Sequence, residues 1–193
     1  MQPAIRVGMS LADFLEESAK GDFELIDGER RPKLPPISGH AEIIRMLFRL
    51  LDHYCMTQHA GETYSETTFI MPDAYDSDWV RGSRIPDVML YLGSRLADYK
   101  SETPEWSRRP FALVPDFVIE IVSPNDKFAD VMDKAQDYLR DGVRLVWVID
   151  MQGRRAFVFE PDAESVRTLK GDALLAADDL LPGFSLKLSD LFV

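Results

Sequence analysis

The 193-residue chain has one cysteine, Cys55, so no disulfide can close within it, and a reducing, cytoplasmic setting is the expectation. Histidine is almost as scarce. Of the three, His53 and His59 have no zinc-site spacing, and no His-Glu-x-x-His occurs. There is no glycine-rich phosphate loop and no Gly-x-Ser-x-Gly turn. No apolar run approaches the roughly 20 residues that a membrane helix needs. The best stretch, Ile43 to Leu51, is broken by Arg45 and Arg49, and Met1 to Arg6 carry no signal-peptide block, so no membrane partner is expected. Positive charge is also in deficit, with 22 basic against 33 acidic residues and a net charge of −11. That balance excludes a protein that coats nucleic acid by counterion release. It leaves room for an enzyme that gathers a few cations at one local site.

What is present is a core. Hydrophobic residues make up 46% of the chain, which excludes wholesale disorder and suits one domain over residues 1–193. No repeat or long linker interrupts it. Ser10 is placed to cap a short helix from Leu11 to Ala19. Phe23 to Ile26 reads as a strand, Asp27-Gly28 as a two-residue hairpin, and Glu29 to Leu34 as the return, stopped by Pro35-Pro36. Ser38 is expected to cap a long helix reaching His59, with Ile43, Ile44, Leu47, Leu50, Leu51 and Tyr54 on its buried stripe. Thr63 to Met71 reads as one strand, Pro72 to Ser83 as a polar loop, and Ile85 to Leu92 as a further strand.

The clearest pattern lies between residues 116 and 159. Asp116 to Val122 is almost continuously apolar, as in a sheet interior. Ser123 to Asp126 forms a turn, Lys127 to Asp141 an amphipathic helix that should bury Phe128, Val131, Ala135, Tyr138 and Leu139 and is ended by Gly142, and Arg144 to Ile149 a second buried strand. This β-α-β unit predicts parallel strands with a right-handed crossover. Arg154 to Glu160 should then return antiparallel, and the segment from Leu181 should dock as a tail with a short last helix. The expected class is α/β, with a mixed central sheet flanked by helices.

Glu120 breaks the apolar pattern of its strand. Alternation puts Phe117, Ile119 and Ile121 on one face and Val118, Glu120 and Val122 on the other. A buried carboxylate there costs several kcal/mol unless a partner compensates it. It either answers a basic side chain or helps to grip a metal. Asp87, after Pro86, and Glu24, inside Phe23 to Ile26, are ordinary when taken singly: a turn residue and a solvent-facing strand residue. Three acids on three strands could nevertheless converge on a hard cation such as Mg²⁺. On the helix after Glu120, Lys134 borders Val131 and Tyr138. Its stem either covers apolar surface or carries the ammonium to the acids. Lys127 is the other candidate lysine. Trp79, Trp106 and the pairs Arg30-Arg31, Arg108-Arg109 and Arg154-Arg155 could meet nucleic acid, although packing of the tryptophans and solvated faces for the arginines are the commoner explanation.

Taken in order, Phe23-Glu-Leu-Ile-Asp-Gly-Glu29, Ser38-Gly-His40, Pro86-Asp87-Val88, Val118-Ile-Glu-Ile-Val-Ser-Pro124 with Asp130, Lys134, Tyr138 and Gly142-Val143, Val146-Trp-Val-Ile-Asp150 and Leu181-Pro-Gly-Phe184 resemble the Uma-two family. That family, long filed as a domain of unknown function, is grouped with the restriction-endonuclease-like fold. The superfamily pattern is Pro-Asp, a spacer, then Asp/Glu-x-Lys. The resemblance implies that Asp87 and Glu120 hold Mg²⁺, with Mn²⁺ as a substitute, and that Glu24 is an upstream acid. It also implies a metal-dependent endonuclease that hydrolyses DNA phosphodiester bonds with activated water, working as a homodimer. Val122 stands where the superfamily has lysine, and Lys134 matches the position from which this family supplies it. His40 is expected to support the site rather than react. Two rival readings stay open. One is a non-catalytic interaction module on the same fold, and the other a metal-dependent hydrolase with a different substrate. Crowded carboxylates also predict a raised pKa for the least solvated of them, Glu120.

Overall fold

The computed structural model describes residues 6–124 and 126–192. Met1 to Ile5, and Asn125 in the turn expected after Val122, lie outside that description. The elements in chain order are β1 (Met9–Ser10), α1 (Leu11–Ser18), β2 (Phe23–Ile26), β3 (Glu29–Pro32), α2 (Ser38–Gln58), β4 (Gly61–Ser65), β5 (Phe69–Asp73), β6 (Asp76–Arg84) and β7 (Val88–Leu92). They continue with α3 (Arg95–Glu102), β8 (Phe117–Val122), α4 (Phe128–Asp141), β9 (Leu145–Asp150), β10 (Arg155–Phe159), β11 (Arg167–Lys170), β12 (Leu174–Ala176) and β13 (Ser185–Lys187). A 3-10 turn, Leu188–Leu191, follows.

The β8-α4-β9 unit forms as its pattern dictates. β8 and β9 pair in parallel with Glu120 opposite Val148, and every residue of both strands is buried. They form the centre of a six-stranded mixed sheet in the order β11-β10-β9-β8-β7-β4. Strand alternation divides the core into two layers. Phe117, Ile119 and Ile121 pack with Ile43, Leu47 and Leu51 of α2 and with the tail residues Leu181 and Phe184. Val118 and Val122 pack on the other face with Ala135 and Tyr138 of α4. Glycine ends α4 as expected, since Gly142 takes the left-handed conformation (φ 106°) that closes the last turn.

A second sheet, β1-β6-β2-β3 with β5 on β6, encloses a smaller core of Phe14, Phe23, Leu25, Ile70 and Val80. The β2-β3 hairpin turns at Asp27 and Gly28, both at positive φ. Ser10 caps α1, its Oγ accepting the Asp13 amide proton at 3.1 Å. The two sheets meet where β6 runs through Ile85-Pro86-Asp87 into β7.

Several expectations are corrected. Thr63 to Met71 is not one strand: Glu66 sits at φ 44°, and β4 and β5 join different sheets. The expected polar loop is largely β6, which is exposed at its start and buried from Gly82 onward where β2 and β5 cover it. Ser38 is the first residue of α2 rather than its cap, because Ile37 holds the capping position. Leu50 lies on the outer side of α2, 44% exposed. Phe128 is exposed as well. Among the described residues no helix is long and apolar enough to cross a membrane.

Candidate functional site

Four chain segments deliver the candidate residues to the seam between the sheets. β2 brings Glu24, the Pro86-Asp87 link brings Asp87, β8 brings Glu120, and α4 brings Lys134. Glu24, Asp87 and Glu120 are all buried, so each needs a partner. Lys134 supplies two of them. Its Nζ lies 2.8 Å from Glu24 Oε1 and 2.9 Å from Glu120 Oε1, tying the second sheet to the first through one ammonium group. Glu24 Oε1 also accepts the Ile85 amide proton at 2.7 Å. That bond fixes the chain just before Asp87. The Tyr138 hydroxyl donates to Glu120 Oε1 at 2.5 Å from one helical turn beyond Lys134.

Asp87 is held on both oxygens. Oδ2 accepts the Ile121 amide proton at 2.7 Å and stands 3.0 Å from His40 Nε2. Oδ1 lies 3.0 Å from Lys33 Nζ, which also donates to the Ile85 carbonyl at 2.8 Å. Asp87 and Glu120 are therefore neighbours across β8, linked through the amide that follows Glu120.

The electrostatics separate the two acids. Burial alone would raise the Asp87 carboxyl. His40, the Lys33 charge and the Ile121 amide outweigh burial and hold it well below the ordinary carboxylate range. Glu120 goes the other way, pushed up by burial and by the charges of Asp87 and Glu24 against the opposing pull of Lys134. Burial would lower the Lys134 ammonium, but the charges of Glu120 and Glu24 win and keep it protonated. His40 is raised, the contact with Asp87 overcoming burial. Tyr138 is pushed well up by burial and by Glu120, so it remains a donor.

All of these groups except Tyr138 line one cavity of about 350 Å³, with Arg31 and Lys127 on its wall. Its carboxylates are hard oxygen donors, and two ammonium groups already sit against them, so the pocket is built to receive positive charge. Asp87 and Glu120 fit a Mg²⁺-type ion, which takes one or two carboxylates and keeps several waters. Among the described residues no three His, Cys, Asp or Glu side chains form a ready cage. Waters and substrate oxygens would have to complete such a shell.

The sequence candidates Glu24, Asp87, Glu120 and Lys134 thus come together. Lys127 lines the cavity without joining the acids. Trp79 donates to the Val7 carbonyl beneath the Arg6 guanidinium, and Trp106 stacks on Phe111. Arg84 is spent on Asp141, within the fold. Sequence reasoning missed Lys33, whose signal was available: the hairpin register sets Phe23 against Pro32, which brings Lys33 to the end of β2 that enters the seam. It also read Tyr138 only as a core residue.

No curated protein matches the chain. Among solved structures it is similar to the crystal structure titled "a putative nuclease belonging to DUF820 from Anabaena variabilis ATCC 29413". The TM-score is 0.76 at 23% identity, over 95% of this chain and 97% of that one. At that identity the likeness establishes the shared fold. The family Uma2, described as "Putative restriction endonuclease", matches residues 11–189. That span takes in the six-stranded sheet, all of the second sheet but β1, and every residue of the cluster, and with the fold in common this chain belongs to the Uma2 family.

Proposed function

We propose that the protein is a Mg²⁺-dependent endonuclease that hydrolyses DNA phosphodiester bonds in the cytoplasm. The observation that carries this reading is the single ammonium of Lys134 bridging Glu24 and Glu120 beside Asp87, at the wall of an open polar cavity. Asp87 and Glu120 would hold the divalent ion. When bound, the ion lowers the pKa of a water and offsets charge on the scissile phosphate. The chain's own groups do the rest. The Ile121 amide and His40 orient Asp87, and Tyr138 and Lys134 orient Glu120. Lys134 also offers a permanent positive charge to the oxyanion that develops on the phosphate. The family description and the nuclease title of the Anabaena structure support the reaction class. Pairing of two copies would cover the exposed β3 edge, all four of whose residues are solvent-facing.

The test is cleavage of supercoiled plasmid with Mg²⁺ or Mn²⁺ by wild type, Glu120→Ala and Lys134→Ala. Cleavage by wild type and a loss of at least about 100-fold in both variants supports the reading. Equal cleavage by all three marks a contaminant. No cleavage by wild type, with retained cation binding, favours a hydrolase with another substrate, which the net charge of −11 would suit.

A further inference from the structure

Asp87 has one oxygen committed to the fold and one committed to a lysine. Oδ2 accepts the Ile121 amide proton and stands against the His40 ring. Oδ1 faces Lys33, and any cation that Asp87 holds through that oxygen must meet the Lys33 ammonium there. The two lysines of the cluster are not equivalent. Lys134 lies on α4, a 14-residue helix packed on β8 and β9, and is gripped by two carboxylates. Lys33 follows the exposed edge strand β3 and precedes Pro35-Pro36, and among the described residues the only other hydrogen-bond partner of its ammonium is the neutral Ile85 carbonyl. Its side chain is still mostly covered, at 18% exposure, so the contact is enclosed rather than a surface pair. Two of the cluster's acids already share the Lys134 ammonium and the third faces Lys33, while Asp126 and Asp130 also line the cavity.

We infer that Lys33 is an exchangeable internal counter-cation for Asp87, displaced from Oδ1 when a divalent ion loads. This inference rests on the metal-dependent reading above. Lys33 thereby sets the affinity of the site, because each binding event must first break the Lys33–Asp87 contact. The displaced ammonium stays in the cavity on a four-carbon stem, where it can meet a phosphate oxygen. Lys33 is thus a positioning residue that couples ion loading to the charge offered to substrate.

The experiment is calorimetric titration of the full chain with MnCl₂, without nucleic acid, for wild type, Lys33→Met and Lys33→Arg. Removal of the competing charge is expected to tighten Mn²⁺ binding by about 5-fold or more in Lys33→Met, with Lys33→Arg close to wild type. Equal or weaker binding by Lys33→Met overturns the exchange while leaving the metal-dependent reading intact. Absence of binding by wild type and both variants removes the two together. If Lys33→Met does not fold, the wild-type ammonium is followed directly by NMR of the lysine side-chain nitrogens during MgCl₂ addition. A shift or loss of the Lys33 resonance as the Ile121 amide moves supports displacement. A Lys33 signal that stays fixed while that amide moves rejects it.

Discussion

At the scale of single residues, the site is a set of buried charges held by one another. Glu120 is 6% exposed, and its partners are Lys134 and Tyr138. Lys134→Met keeps the stem but strands Glu120 and Glu24 without their shared cation. Breaking a buried pair in this way is expected to cost about 3 kcal/mol. The cost should depend on pH. Glu120 already has a folded-state pKa above its ordinary value, and loss of Lys134 raises it further. A carboxyl with a raised folded pKa binds its proton more tightly folded than unfolded, so it penalises folding increasingly as pH rises from the unfolded pKa to the folded one. Urea unfolding at about pH 5 and about pH 8 should therefore show the larger loss at the higher pH, relative to wild type. An identical loss at both would mean that Glu120 does not feel the missing ammonium. The anomaly of one acid in an apolar strand made Glu120 legible in the sequence, and helical spacing made Lys134 legible. Lys33 was legible only in part: the Asp27-Gly28 turn sets the register that brings it beside β2, but no local pattern places it on Asp87, 54 residues further along the chain.

At the scale of elements, local rules worked where the element made its own contacts. The β2-β3 turn, the α1 cap and the β8-α4-β9 crossover all follow from short sequence signals. The two failures on strands share one cause, a conformation set by distant partners. Glu66 takes φ 44° and splits an apparently single strand, and its amide donates to the Asp87 carbonyl at 3.2 Å. β6 begins among exposed polar residues and is a strand because β1, β2 and β5 pair with it. Gly61 shows the same dependence. It opens β4 at φ 143°, and a Cβ there would run into the Tyr91 carbonyl of β7. Gly61→Ala is thus expected to destabilise the fold by about 2 kcal/mol or more, since both backbone strain and an immovable contact oppose it. Thermal unfolding checks this, and an unchanged midpoint would show that the β4-β7 edge yields more readily than this packing allows.

At the scale of the whole molecule, the excess of acid and the proposed substrate pull in opposite directions. A net charge of −11 repels a polyanion at long range. Productive binding must then depend on a few cations close to the phosphate, and the cavity wall provides them. Arg31 faces Glu24 across the hairpin, and Lys127, just before α4, lines the same cavity. Neither is an ion-pair partner of the three acids, so both can meet phosphates without dismantling the cluster. Such an arrangement predicts weak binding with a shallow salt dependence, because the slope of log affinity against log salt is about −0.9 per duplex phosphate contacted. Arg31→Ala and Lys127→Ala should each reduce that slope by about one contact's worth and leave thermal stability near wild type. Fluorescence anisotropy with a short duplex in Ca²⁺, across a salt series, measures both quantities. A steep slope that neither substitution alters would place the DNA on another face, and Glu24, Asp87, Glu120 and Lys134 would then lie away from any phosphate.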